Sequence, residues 1–109
     1  MSDGATAGDA ATAFASRAEA AHGESIRHLV AFGAAVRGDD RGVHTETEIL
    51  LVLEEDDEAI EQELEALAET VGLEHGVVFS VHVLPADRFE AKREHPFVRT
   101  ALEEGTAYV

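Results

Sequence analysis

The sequence contains no cysteine. That excludes a disulfide framework and a thiolate metal site, leaving carboxylates and histidines as the side chains able to hold a metal. No stretch approaches the roughly 18 apolar residues of a membrane-spanning helix. The opening residues Met1-Ser2-Asp3-Gly4-Ala5-Thr6-Ala7-Gly8 lack the basic and apolar segments of a secretory leader, so a cytoplasmic protein is expected. His22, His28, His44, His75 and His95 show no ligand spacing such as an i, i+4 pair on one helix. No internal repeat is present. With 109 residues the chain has room for one domain and one core, burying roughly two-thirds of the surface its unfolded form exposes.

Lysine is nearly absent too, and Lys92 is the single one. Against 8 Lys and Arg stand 23 Asp and Glu, a formal net charge of −15. Such a surface repels phosphates, which disfavours direct binding to nucleic acid or to an anionic membrane. It suits either an acidic interaction surface or life in multimolar salt, where the Debye length is about 3 Å and like charges cease to repel. Acids spread along the whole chain, with arginine in place of lysine, favour the second and point to an extreme halophile. In that salt the repulsion of a nucleotide is screened as well.

Residues 1–8 are small and polar and are expected to be disordered, leaving 9–109 as the domain. An alanine-rich helix follows over 10–22, with Asp9 as N-cap and Gly23 as its close. Ile26 to Phe32 reads as a strand ending at Gly33, and 37–42 as loop. From Thr45 the run Glu46-Thr47-Glu48-Ile49-Leu50-Leu51-Val52-Leu53 is a central strand, apolar on both faces over its middle. Ile60, Leu64, Leu67, Ala68 and Val71 recur at i, i+4, i+7, i+8 and i+11, the pattern of an amphipathic helix over 57–71 with Gly72 as C-cap. In Val77 to Leu84, Phe79, Val81 and Val83 face one way, and Ser80 and His82 the other. A short polar helix over 87–94 precedes a last helix that Pro96 starts and Gly105 ends, burying Phe97, Ala101 and Leu102. The order α-β-β-α-β-α predicts an α/β (mixed α+β) fold.

Phe32-Gly33-Ala34-Ala35-Val36-Arg37-Gly38, followed by Thr45-Glu46-Thr47-Glu48-Ile49-Leu50-Leu51-Val52, resembles the signature of the minimal nucleotidyltransferases of the DNA polymerase β superfamily. There one strand ends F-G-S-x-A-R-G and the next begins S-D-x-D-L-L-V. The segments Arg88-Phe89-Glu90 and His95-Pro96-Phe97-Val98-Arg99, through Glu104-Gly105, resemble that family's C-terminal helices, so the likeness covers about residues 24 to 109. The resemblance implies a small mixed sheet with helices packed on one face, and transfer of a nucleoside monophosphate from a nucleoside triphosphate with Mg²⁺. It places nucleotide binding at Gly33, Ala34, Arg37 and Gly38, with metal binding and catalysis at Glu46 and Glu48. The third metal-holding position would fall at Ser80 or His82. Small family members often act as antitoxins beside an α-helical HEPN-type protein, which is the partner implied; a homodimer is the other assembly expected.

The chemistry needs amides and a hydroxyl at a glycine turn to hold phosphates, and carboxylates two residues apart on one strand face to hold the metal. This chain departs from each requirement. Ala34 replaces the serine, and Glu46 and Glu48 replace aspartates, adding about 1.5 Å of reach each. Misplacement by about 1 Å can cost on the order of a hundredfold in rate. Neither Ser80 nor His82 is a carboxylate. The loop between the two motifs is one residue longer than the family's; without that insertion Thr45 and Thr47 would take the aspartate positions, whereas the glutamate register aligns the apolar strand. Each residue also has a plain reading: Glu46 and Glu48 as solvated acids, His82 as an exposed strand histidine, Arg37 paired with Asp39 or Asp40, and Gly33 and Gly38 as turn residues. The expectation is a binding or antitoxin-type subunit with weakened or lost catalysis. The alternative is an active transferase using Glu46 and Glu48 as metal ligands.

Overall fold

The computed structural model describes residues 7–32 and 45–109, with Ala7, Gly8, Thr45 and Glu46 described as backbone only. Its elements are α1 (Ala7–His22), β1 (Ile26–Phe32), β2 (Thr45–Leu53), α2 (Glu58–His75), β3 (Val77–Pro85), α3 (Ala86–Ala91), α4 (Pro96–Glu104) and β4 (Thr106–Ala107), with a 3-10 turn over Gly23–Ser25. The fold is mixed α/β. The helix expected over 10–22 with Asp9 as N-cap begins at Ala7, so Asp9 lies in its first turn. Gly33, Ala34, Arg37 and Gly38 lie outside the described residues.

The sheet order is β3-β2-β1-β4. β1 runs antiparallel to β2, with Phe32 opposite Glu48, and β3 runs parallel to β2, with Ser80 opposite Glu48. Such a parallel neighbour needs a crossover, and α2 supplies it. β4 adds two residues to the far edge of β1.

β2 is the centre of the core. Ile49, Leu51 and Leu53 pack with Phe14, Leu29, Leu64, Ala68 and Val71 under α1 and α2, while Leu50 and Val52 pack with Ala86, Phe89, Val98 and Ala101 under α3 and α4. Successive strand side chains point to opposite faces, so the continuous apolar run reflects cover on both sides. Helices therefore lie on both faces, where the resemblance implied one; the short C-terminal pair covers the side that expectation left open. Complete burial of a Leu or Phe side chain such as Leu51 or Phe14 stabilises by roughly 1.5–3 kcal/mol.

Local signals set the helix ends. Asp57, with extended backbone (φ −133°, ψ 104°), accepts a hydrogen bond from the Ile60 amide at 3.2 Å and caps α2. The C-cap is Gly76 in the left-handed region (φ +72°), where Gly72 was expected. Gly72 instead lies within the last turn, where a Cβ would collide with the Val77 carbonyl oxygen, so its role is to let α2 approach β3. α4 has Pro96 in its first turn, and Val98 and Ala101 are buried while Leu102 is exposed, a correction to the expected burial of Leu102. Among the described residues no helix is long and apolar enough to cross a membrane.

Candidate functional site

The end of the sheet where β1 finishes and β2 begins collects the polar side chains. Glu48, fourth in β2, points to the α3/α4 face, as does His82, two residues after its register partner Ser80 on β3. The offset brings imidazole and carboxylate together: His82 Nε2 lies 2.9 Å from Glu48 Oε1. A carboxylate accepts, so it is the Nε2–H form of His82 that makes this bond. The pair is part-buried, with side chains 41% (His82) and 33% (Glu48) exposed. His82 is thus engaged, where an exposed strand histidine was one reading.

α4 roofs the pair. The Phe97 ring meets His82 edge-on at 4.6 Å between centroids and 64° between planes, and meets Phe32 of β1 at 5.2 Å and 70°. Edge-to-face contacts of this kind fix ring orientation and contribute about 0.5–1.5 kcal/mol each beyond buried area. The His95 Nδ1 accepts from the Phe97 amide at 3.1 Å, which holds the first turn of α4 in place. A cavity of about 440 Å³ opens here, lined by His82, Val83, Leu84, Lys92, His95, Phe97 and Val98. That volume is in the range of small-molecule sites, and the lining mixes apolar walls with a few nitrogen donors. The one lysine of an acidic chain stands at this cavity with no carboxylate partner among the described residues.

Of the residues assigned to metal and catalysis, Glu48 bonds His82, and Glu46 is described only through its backbone pairing with Val78. Ser80 is opposite Glu48, and neither Ser80 nor His82 supplies acid oxygen. Thr47, which the alternative register would make a ligand, is 5% exposed on the α1/α2 face, and its hydroxyl has no hydrogen-bond partner among the described residues. Its neighbour Glu48 points the other way.

Among the described residues no group of three or more His, Asp or Glu comes together in a way that could hold a metal ion, and one oxygen of Glu48 is taken by His82. Phe97, Lys92 and His95 were not foreseen as site residues. Sequence shows Pro96 starting a helix, but not that the helix would close over β3. No family model matches the chain, and comparison with the curated proteins and with the solved structures finds no match.

Proposed function

We propose that this chain is a nucleotide-binding subunit built on a nucleotidyltransferase-like fold, with phosphoryl chemistry lost, acting as an antitoxin-type partner of an α-helical HEPN-type protein in the cytoplasm of a halophile. The carrying observation is the Glu48–His82 hydrogen bond. In the family this neighbouring strand contributes a third carboxylate; here an imidazole occupies the carboxylate already present. Mg²⁺, if held, would supply charge neutralisation to the phosphates; the engagement of Glu48 by His82 supports the reading that this chemistry is lost.

What the described residues can do is bind. The Phe97 ring gives a flat apolar wall for a base, while Lys92 and the Nε2–H of His95, whose Nδ1 accepts from the Phe97 amide, offer donors to phosphate oxygens. Supporting the fold reading, a β1–β2 antiparallel pair is followed by a parallel β3 with Glu48 at the start of the middle strand. Three parts of the family motif are altered together, so their losses compound.

The test is incubation of the chain with ATP and Mg²⁺ in molar KCl, with and without a co-expressed helical partner. Saturable ATP binding without pyrophosphate release, and a stable complex with the partner, are expected. Pyrophosphate release that Glu48→Gln abolishes would instead make the chain a transferase. A monomer binding neither nucleotide nor protein would end the proposal.

A further inference from the structure

β3 is an edge strand: it pairs with β2 on one side, and among the described residues nothing pairs with its other side. It spans nine residues, Val77–Pro85, a long row of backbone donors and acceptors. Such edges template the addition of another strand unless they are blunted. Beside this one runs a groove of about 480 Å³ between α2 and β3, lined by Glu65, Ala68, Glu69, Leu73 and β3 residues including Phe79 and Val81. Leu73 is 79% exposed and Val78 is 50% exposed, two large apolar side chains in water at the same edge. Their cost in solvent calls for a covering surface.

The rim fixes the chemistry of that cover. Glu65 and Glu69 stand on the α2 side with no cationic partner among the described residues, in a chain of net charge −15. We infer that the β3 edge and the α2 groove receive an extended segment of a basic partner protein, in which apolar residues alternate with lysine or arginine. Added alongside β3, such a segment satisfies the backbone groups that no described residue pairs. Its period of two lowers one set of side chains against Ala68, Leu73, Phe79 and Val81, and long basic side chains reach Glu65 and Glu69. At low ionic strength a second copy of this chain brings the same acidic rim and the same net charge, so like charges oppose it, whereas apolar residues alternating with basic ones meet both the groove and its rim. The inference is independent of the nucleotidyltransferase reading, because it uses neither Glu48 nor the His82 cavity.

The probe is a short synthetic peptide of alternating valine and lysine, titrated into isotope-labelled chain at low and at molar KCl. A glycine–lysine peptide of equal length and charge is the control. The valine–lysine peptide is expected to bind more tightly than the control, to shift amides along Val77 to Val83, and to weaken as salt rises. Leu73→Ser should weaken it about tenfold, the scale of a well-packed interface contact. With Leu73 so exposed, that variant should keep the parent melting temperature. Equal binding of both peptides, shifts scattered over the acidic surface, or indifference to Leu73→Ser would overturn the inference. So would self-association through β3 that strengthens with salt, since it would assign the edge to a second copy.

Discussion

Thr47 carries the clearest single-residue cost in the structure. Its hydroxyl is buried against Phe79 and the α1/α2 core without a hydrogen bond among the described residues. An unsatisfied buried hydroxyl costs about 1–3 kcal/mol, so Thr47→Val, close in shape, is expected to stabilise by about 1 kcal/mol in a denaturant melt. Loss of stability would mean that the hydroxyl has a partner. Glu61 offers a pH test. Burial first, and then the charges of Glu65, Asp56 and Glu58, hold its carboxyl above the usual carboxylate range. A raised acid pKa means the folded chain binds this proton more tightly than the unfolded one. Its contribution to stability therefore falls as pH rises from the ordinary carboxylate value through the raised one. Glu61→Gln is expected to raise the urea midpoint at neutral pH, with the gain fading on acidification through the same window. At this scale sequence revealed Glu48 as a candidate and the facing of Ser80 and His82. It did not reveal that His82 would bond Glu48, because that depends on β2 and β3 being neighbours in parallel register.

Among the elements, α2 decides whether β3 is set correctly, since it is the crossover between the two parallel strands. Asp57→Ala removes its N-cap and should cost about 1 kcal/mol in a chemical melt. Gly72→Ala should cost about 1–3 kcal/mol by the strain of overpacking, because the added methyl meets the Val77 carbonyl. If Gly72→Ala were neutral, α2 and β3 would not pack this closely. Sequence showed α2 plainly through its apolar stripe, and it showed the extent of β1 and the alternation of β3, since each is a local periodic signal. Gly72 misled because a glycine near a helix end has two uses, cap and close approach, and only the packing distinguishes them. β4 was not foreseen because two residues carry no period, and its pairing with Val30 and Ala31 is long-range. Val98 took the buried place expected of Leu102 because α4 lies over both Phe32 and His82, an orientation set by tertiary contacts.

For the molecule as a whole, a sheet covered on both faces leaves exposed chemistry, among the described residues, at two places. One is the end of the sheet near Glu48, and the other is the open edge of β3. The net charge of −15 opposes compaction at low ionic strength. Stability is therefore expected to rise steadily from low to molar KCl, and a melting temperature indifferent to KCl would contradict an account based on self-repulsion. The same screening permits a polyphosphate to approach the acidic surface and reach the cavity beside Lys92. The most direct measurement is an amide shift map of the isotope-labelled chain titrated with ATP and Mg²⁺ in molar KCl. The account predicts saturating shifts centred on Glu48, Ser80, His82 and Phe97 with the nucleotide left intact. Shifts elsewhere, or none at these four residues, would contradict it.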